Sequence, residues 1–350
     1  MMSNYKLTVV VPTFNTGIFL HESLGSIINQ SIGFENIEVI LVDDKSSDPL
    51  TLSIIDDYVS KYSNIRVIFL EENSGFPGKP RNVGIDASTS DYVIVMDHDD
   101  SYDLDAFKRL YDTIIKEKAD IVISNYQEVY EDKTVKPSIF GYDVDKIKIN
   151  SIDENLSFFD IAPSIWTRLF RKSFLKEHNI RFIEGMLAED VYFNISSLLQ
   201  ANCIVYLNNY YGYNYRIRDS KSDKSTIHIR NKKYLDAMIS GYLETWEVLK
   251  DLNQEKYFPI IFKGHVMYWL SSLIASDINN NEKIELVERM SPILKEQLKY
   301  TNDFGDELYI PLINPIKSDD FENFVKISNK IKKSRKRRNF IKNLINKLKI

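Results

Sequence analysis

The first 125 residues alternate between short apolar runs, rich in β-branched residues, and segments with helical periodicity. The apolar runs are Leu7–Val11, Ile37–Val42, Ile65–Phe69, Tyr92–Met96 and Asp120–Ser124, and the helical segments lie near Phe19–Gln30, near Leu52–Tyr62, shortly after Arg81, and from Asp103 to about Lys118. Strands that are apolar on both faces and alternate with helices form a parallel sheet covered by helices on both sides. We therefore predict an α/β fold with a Rossmann-like, mostly parallel sheet. Ligands of such sheets bind at the carboxyl ends of the strands.

The rest of the chain lacks this alternation. Residues 126–225 are rich in Tyr, Phe and Asn, and the later segments Tyr234–Leu249 and Gly264–Ile274 have a helical pattern. We predict a first domain over 1–225, a mainly helical C-terminal domain over 226–330, and a basic amphipathic tail over 331–350. Within the first domain, residues 1–125 form one half, and residues 126–225 form a second half that lines a substrate cleft.

The charge of the chain is unevenly distributed. The formal net charge is −5, but nine basic residues and no acid lie from Lys332 to Ile350, which leaves −14 on residues 1–331. Apolar residues recur at helical spacing in the same tail, a pattern that suits an anionic membrane surface. A solvated terminus, or a helix packed on a second subunit, is the alternative. The acidic body disfavours a nucleic-acid partner.

Cysteine and apolar-segment content indicate the compartment. Cys203 is the single cysteine, so no intramolecular disulfide can form, which fits a reducing cytoplasm. We find no signal-peptide pattern at the start of the sequence and no window of about 18 uninterrupted apolar residues. The five histidines are scattered, which gives little support to a His-based zinc site. We therefore expect a cytoplasmic protein, peripheral on the inner face of the cell membrane if it contacts a membrane.

Acidic residues follow the fourth apolar run, as Asp97-His98-Asp99-Asp100. Two carboxylates in an Asp-x-Asp pattern can bind Mg²⁺ or Mn²⁺, while phosphate oxygens and water complete the coordination shell. The alternative is an acidic turn that caps the next helix. The position directly after a strand favours the metal site for Asp97 and Asp99, and we leave Asp100 to the turn.

Polar residues also follow the first two strands. Asp44 comes after the second run, where a carboxylate can accept the imide N–H of a uracil ring. Pro12, Thr13 and Asn15 end the first run and offer short polar groups to a ligand at the sheet edge. Taken alone, each pattern is also that of an ordinary strand-to-helix turn.

A loop rich in glycine and proline, Asn73 to Asn82, opens onto a helix. It contains neither G-x-G-x-x-G nor G-x-x-x-x-G-K-[ST], which disfavours a dinucleotide-dependent oxidoreductase and a P-loop NTPase. Lys79 and Arg81, near a helix N-terminus, would suit a diphosphate.

Two later segments carry further candidates. Glu189 and Asp190 precede an apolar, helix-like run, and one of them could deprotonate an acceptor hydroxyl. The alternative is that both acids only face the positive end of the helix dipole. A polar, basic stretch contains the candidates for a lid over a diphosphate or for an acceptor contact, Arg216, Arg218, Ser220 and Ser222. A solvated loop is the alternative for that stretch.

The order and spacing of these motifs resemble the GT-A glycosyltransferases of family 2 over roughly residues 5–225. The motifs are Val9-Val10-Val11-Pro12-Thr13-Phe14-Asn15, Val42-Asp43-Asp44-Lys45-Ser46, Asn73-Ser74-Gly75 with Pro80-Arg81-Asn82, Met96-Asp97-His98-Asp99-Asp100, Trp166-Thr167-Arg168-Leu169-Phe170-Arg171 and Ala188-Glu189-Asp190. The loop from Asn73 to Asn82, the Ala188-Glu189-Asp190 motif and the helical domain after it look most like the wall teichoic acid β-N-acetylglucosaminyltransferases of Gram-positive bacteria.

This resemblance implies a metal-dependent glycosyltransferase that inverts the configuration at the anomeric carbon of the transferred sugar. Asp190 would be the catalytic base, with Glu189 beside it. The UDP-sugar would be bound by Pro12, Thr13, Asn15, Asp44, Asn73, Arg81, Asp97 and His98, with Asp44 on the uracil. Asp99, with Asp97, would bind Mn²⁺ or Mg²⁺. Two residues depart from the family pattern: His98 replaces a small residue, and Arg168 stands where the family often has lysine.

The resemblance also implies the substrates and partners. It favours UDP-GlcNAc as donor, with UDP-glucose, UDP-galactose and UDP-GalNAc as alternatives. The acceptor would be a hydroxyl of a polymer such as wall teichoic acid. A capsular or exopolysaccharide lipid-linked acceptor, or a glycoprotein, is the alternative. An inactive fold that acts as a membrane-surface adaptor is a third hypothesis, which the intact Asp97, Asp99 and Asp190 disfavour. The helical C-terminal region could also form a homo-oligomer.

Overall fold

A computed structural model describes residues 5–137, 144–218 and 230–348 of the chain, with side chains described as far as Arg335. The chain divides into two compact units, Met1–Ser225 and Thr226–Ile350. The first unit holds a large sheet with helices, and the second unit is helical.

The first unit is built on a sheet of ten strands among the described residues. The strands are β1 (Leu7–Thr13), β2 (Ile37–Asp43), β3 (Ile65–Phe69), β4 (Tyr92–Val95), β5 (Ser101–Tyr102), β6 (Ile121–Val129), β7 (Thr134–Val135), β8 (Lys146–Ile149), β9 (Arg168–Arg171) and β10 (Ile204–Arg216). The helices are α1 (Phe19–Ile28), α2 (Pro49–Lys61), α3 (Gly78–Ala87), α4 (Ala106–Glu117), α5 (Lys172–Glu177) and α6 (Glu189–Gln200). Every residue of β1 and β2 is buried, which explains their continuous apolar sequences.

The sheet is parallel in its first half and mixed in its second. Its order is β3-β2-β1-β4-β9-β6-β10-β5, with β7 beside β6 and β8 beside β10. Strands β1 to β4 pair in parallel, as predicted. Strand β9 then runs antiparallel between β4 and β6, and β10 runs parallel to β6. The second half departs from the simple alternation because, among the described residues, no α-helix lies between β6 and β9.

The carboxyl ends of the first strands meet at one edge of the sheet. Thr13 at the end of β1 is in register with Asp43 at the end of β2, and Val10 in β1 is in register with Val95 at the end of β4. The polar residues that follow these strands are therefore neighbours. Helix α3 begins at Gly78, before the predicted start, so Arg81 lies inside its first turn.

The second unit consists of helices that pack on one another. They are α7 (Lys232–Asp251), α8 (Phe258–Ala275), α9 (Asn280–Gln297), α10 (Ile313–Lys317) and α11 (Phe321–Leu348). Among the described residues, one helical segment, Glu255–Ala275, has the length and mean hydropathy (1.2) of a membrane span. Half of that segment is buried inside the protein, and Trp269 within it has no exposed surface. Packing within the unit therefore accounts for a large part of its apolar composition.

Candidate active site

The turn after β4 contains a buried acid, Asp100, that forms hydrogen bonds with β10. Asp100 is 1% exposed and accepts hydrogen bonds from the Tyr213 hydroxyl at 2.8 Å and from the Arg216 backbone N–H at 2.7 Å. Burial, together with the charges of Asp99 and Asp97, raises the pKa of Asp100 well above its ordinary value. Asp100 thus has a structural role, but its carboxylate binds β10 and not the next helix, which the turn was expected to cap.

The other two acids of this turn are partly accessible. The side chains of Asp97 and Asp99 are 30% and 16% exposed. Asp97 Oδ1 lies 2.9 Å from Arg81 Nη2, and Asp99 Oδ2 lies 2.8 Å from Arg218 Nη2. Between them, His98 Nδ1 is buried and has no hydrogen-bond partner among the described residues.

The two accessible carboxylates fit a small divalent cation that is bound together with a diphosphate. Mg²⁺ and Mn²⁺ prefer oxygen ligands, and Mg²⁺ commonly binds one or two carboxylates, with substrate phosphates and water as the other ligands. Within the part of the chain that the structure describes, no group of three or more His, Cys, Asp or Glu side chains could hold a metal. If Asp97 and Asp99 hold a metal, phosphate oxygens and water would have to supply its remaining ligands.

Asp44 is fastened to the loop that follows β3. It is 6% exposed, and its carboxylate accepts hydrogen bonds from the Ser74 backbone N–H at 2.8 Å and the Ser74 hydroxyl at 2.9 Å. Asn73 Nδ2 donates to the Asp44 carbonyl at 2.8 Å. The structure thus brings together Asp44 and Asn73. Their contact with a uridine stays a prediction.

Three residues at the end of β1 have structural contacts. Pro12 and Thr13 are buried within β1, and the Thr13 hydroxyl donates to a carbonyl of the same strand. The Thr13 residue is 1% exposed in this structure, and the contacts of Pro12 and Thr13 with a nucleotide stay a prediction. Asn15 Oδ1 accepts hydrogen bonds from the backbone N–H groups of Ser47 and Asp48, at 2.8 and 2.9 Å.

Arg81 connects the acidic turn to the start of α6. Its side chain is 7% exposed, with Nη2 2.9 Å from Asp97 Oδ1 and Nη1 2.8 Å from Glu189 Oε1. Burial disfavours the charged form, but the carboxylates of Asp97 and Glu189 outweigh it and raise the pKa of Arg81. The sequence predicted that Arg81 faces a diphosphate. In the structure each terminal nitrogen contacts one carboxylate, and a contact of Arg81 with a diphosphate stays a prediction.

The two acids at the start of α6 differ in access. Glu189 is 5% exposed, and burial raises its pKa to about 7 against the opposing charge of Arg81. Asp190 is partly exposed, and its Oδ1 accepts a hydrogen bond from the Val191 N–H at 2.8 Å. Burial also raises the pKa of Asp190, again opposed by Arg81. A partly accessible carboxylate with a raised pKa is suited to take a proton from a hydroxyl, which favours Asp190 over Glu189 as the base.

Helix α3 also contacts the segment around Phe182, which precedes Glu189 and Asp190. Asn82 is 3% exposed; its Nδ2 donates to the Phe182 carbonyl at 2.8 Å and its Oδ1 accepts from the Phe182 N–H at 2.9 Å. Gly78 lies so close that an added Cβ would be 2.2 Å from the Ile183 carbonyl oxygen. Sequence reasoning did not assign these roles, although both residues lie in the loop from Asn73 to Asn82.

Arg168, which departs from the family pattern, is a second buried cation near Asp190. It has no exposed surface, and its Nη2 donates to the Ala162 carbonyl at 2.9 Å. Burial lowers the pKa of Arg168 to about 9, and the charge of Asp190 opposes that shift. Arg168 therefore supports the irregular segment before β9 and adds positive potential at Asp190.

The end of β10 brings two arginines to the acidic turn. Arg216 Nε donates to the Asp99 carbonyl at 2.9 Å, and its guanidinium carbon lies 5.2 Å from the Phe19 ring centroid. The guanidinium carbon of Arg218 lies 5.9 Å from the same centroid. The other two predicted lid residues, Ser220 and Ser222, lie outside the described residues.

Comparison of sequences identifies proteins that are similar to this chain. The model of glycosyl transferase family 2 matches residues 8–178. A poly(ribitol-phosphate) beta-glucosyltransferase of Bacillus spizizenii is 31% identical over 237 residues, which cover 67% of this chain and 36% of that protein. Glycosyltransferase GlyG of Streptococcus pneumoniae is 30% identical over 292 residues, which cover 73% of this chain and 94% of that protein. The chain thus spans little more than a third of the first relative and nearly all of the second.

Comparison of structures gives the same fold. The crystal structure of S. aureus TarS 1-349 in complex with UDP-GlcNAc matches with a TM-score of 0.73 at 23% identity, over 94% of this chain and 92% of that one. At this level of identity the likeness concerns the fold. It confirms the predicted α/β architecture with a helical C-terminal region.

Proposed function

The chain belongs to glycosyl transferase family 2, and from that premise we propose that it moves a sugar from a UDP-sugar to a hydroxyl of a cell-surface polymer. The observation that carries the proposal is the buried bridge from Asp97 through Arg81 to Glu189, directly beside the partly exposed Asp190. This bridge connects the acid of the donor side with the acids of the acceptor side. It supports a site in which donor and base are held in one electrostatic network.

In the proposed reaction, Asp190 accepts the proton of the acceptor hydroxyl. The acceptor oxygen forms a bond to the anomeric carbon while the bond from that carbon to the UDP oxygen breaks, and its electron pair leaves with UDP. Because this is a single displacement without a covalent intermediate, one carboxylate base suffices and the configuration inverts. When bound, Mn²⁺ or Mg²⁺ would be held by Asp99 and Asp97 and would stabilise negative charge on the diphosphate.

For the substrates, we propose UDP-GlcNAc as donor and wall teichoic acid as acceptor. The support is that one relative is named for glucosyl transfer to poly(ribitol-phosphate), and that a protein of the same fold was crystallised with UDP-GlcNAc. Because the Bacillus spizizenii relative is named for glucosyl transfer, UDP-glucose is the main alternative donor. Capsular, exopolysaccharide and glycoprotein acceptors remain the alternatives on the acceptor side.

The predicted location and assembly stay predictions. Helix α11 continues to Leu348, through the basic tail that we expect at an anionic membrane surface. Co-sedimentation with anionic vesicles, for the full chain against a truncation at Lys330, would test that contact. We also propose that the protein is cytoplasmic and that it self-associates through the helical unit.

Donor choice is tested by thermal unfolding of the full chain with Mn²⁺ and a panel of nucleotide sugars. A ligand at about 100 times its Kd stabilises a folded protein by about 2.7 kcal/mol, so the Tm shift ranks affinities. We expect UDP-GlcNAc to give the largest shift, followed by the other UDP-sugars, and GDP-mannose to give none. A larger shift with GDP-mannose than with every UDP-sugar would reject the uridine site at Asp44.

A further inference from the structure

The Arg218 guanidinium forms an ion pair with Asp99, the carboxylate that the proposed function assigns to the metal. Arg218 Nη2 lies 2.8 Å from Asp99 Oδ2, and the two side chains are 24% and 16% exposed. An ion pair with this limited exposure is stronger than a fully solvated pair, because less water screens it. A divalent metal that binds Asp99 therefore meets a cation that is already in place.

The neighbouring arginine holds the turn independently of Arg218. Arg216 donates through Nε to the Asp99 carbonyl at 2.9 Å and through its backbone N–H to Asp100 Oδ1 at 2.7 Å. It also forms an ion pair with Glu22. The end of β10 thus stays attached to the acidic turn when the contact between Arg218 and Asp99 breaks. The guanidinium of Arg218 can leave the carboxylate without loss of the turn.

We propose that Arg218 is the exchangeable cation of the donor site. The divalent metal and the Arg218 guanidinium compete for Asp99, and the donor diphosphate receives the released guanidinium. Guanidinium groups bind phosphate oxygens as well as carboxylates, so the exchange replaces one charge-assisted contact by another. The inference rests on the proposed function, since it takes Asp99 as a metal ligand.

Competition of this kind has a thermodynamic consequence. Metal alone breaks the pair between Arg218 and Asp99 with no phosphate contact in exchange, so it binds weakly. With the diphosphate present, the displaced guanidinium gains a phosphate partner, so UDP strengthens metal binding. Coupling is reciprocal, which means that the metal strengthens UDP binding by the same factor.

The test is Mn²⁺ binding to the full chain, measured by electron paramagnetic resonance of free Mn²⁺, with and without UDP. We expect Arg218→Met to bind Mn²⁺ alone about fivefold more tightly than wild type, at the lower end of typical coupling factors. We also expect UDP to strengthen Mn²⁺ binding less in this variant than in wild type. Arg289→Met is the matched control, because it removes an arginine–aspartate pair, with Asp236, from the helical unit. It should bind Mn²⁺ like wild type.

The possible failures are distinguishable. If Arg218→Met binds Mn²⁺ like wild type, both alone and with UDP, the inference is overturned while the proposed function stands. If no form binds Mn²⁺ under either condition, the metal part of the proposed function fails and the inference fails with it. Arg218→Lys keeps the positive charge and guards against loss of folding in the methionine variant. Its Mn²⁺ affinity should stay within about twofold of wild type, and a tightening equal to that of Arg218→Met would contradict competition by charge.

Discussion

Asp190→Asn is expected to lower kcat about 10²- to 10⁴-fold, the range for loss of a positioned base. Asparagine keeps the shape of the side chain and can still accept the hydrogen bond from Val191 N–H, which Asp190 accepts at 2.8 Å. It cannot take a proton from the acceptor hydroxyl. The binding of UDP-sugar should be unchanged within about twofold, because Asp190 removes the acceptor's proton and has no assigned donor contact. Single-turnover transfer and equilibrium donor binding measure the two quantities separately.

The matched variant is Glu189→Gln, one residue away. Glu189 is 5% exposed and bound to Arg81, so it has little access to an acceptor. We expect Glu189→Gln to lower kcat less than Asp190→Asn does, because it changes only the charge beside the base. Turnover of Asp190→Asn at the wild-type rate, with Glu189→Gln inactive, would exchange the two roles.

Arg81→Met is expected to have the largest effect on stability. The substitution removes the shared partner of Asp97 and Glu189 and leaves a carboxylate that is 5% exposed without its cation. Breaking a buried ion pair from one side typically lowers the free energy of unfolding by about 3–5 kcal/mol. Urea unfolding at fixed pH measures this change. The control is Arg181→Met, whose pair with Asp86 is 46% and 57% exposed and should be worth less than about 1 kcal/mol.

The same variant has a predicted pH dependence. In the folded chain burial raises the pKa of Glu189 to about 7, against an ordinary value of 4.5, and Arg81 opposes the rise. The folded state therefore binds more protons than the unfolded state between these values, so this group's contribution to stability falls as pH rises. Without Arg81 the pKa of Glu189 in the folded chain rises further, so the loss of stability with rising pH extends to higher pH. The stability difference between wild type and Arg81→Met should thus be larger at pH 8 than at pH 5.

The pH dependence of kcat in Arg81→Met should also shift to higher pH. Arg81 also opposes the raised pKa of Asp190, so its removal keeps Asp190 protonated to higher pH. The acid limb of kcat should move to higher pH in Arg81→Met and less in Arg81→Lys, which keeps the charge. An acid limb at the same pH in all three proteins would show that Arg81 does not act on the base.

Local patterns predicted the first half of the fold closely. The strand Ile65–Phe69 has the predicted bounds, and the other early strands differ from prediction by a few residues at their ends. Strands β1 and β2 are buried along their whole length, so their continuous apolar sequences carry a clear signal, whereas β3 is only partly buried. The acids that follow them lie at the sheet edge that the parallel arrangement implies. The position of the Asp97–Asp99 turn was therefore predictable from the sequence alone.

Contacts between distant residues were not predictable. Arg81 meets Glu189 across 108 positions of sequence, and Asn82 meets Phe182 across 100. A motif indicates that an arginine suits an anion, but it does not show that Arg81 pairs with the carboxylates of Asp97 and Glu189. The antiparallel insertion of β9 likewise depends on the path of residues 126–167, which have no periodic signal. Burial of Thr13 could not be read from its position at a strand end.

The stereochemistry of the product tests the central claim most directly. UDP-GlcNAc carries its sugar in the α configuration, and a single displacement assisted by Asp190 must invert it. Wild-type protein with Mn²⁺, UDP-GlcNAc and a poly(ribitol-phosphate) acceptor should therefore give a β-linked product, read from the coupling of the anomeric proton by NMR. An α-linked product would contradict the single-base mechanism, because retention requires a different arrangement of groups around the anomeric carbon.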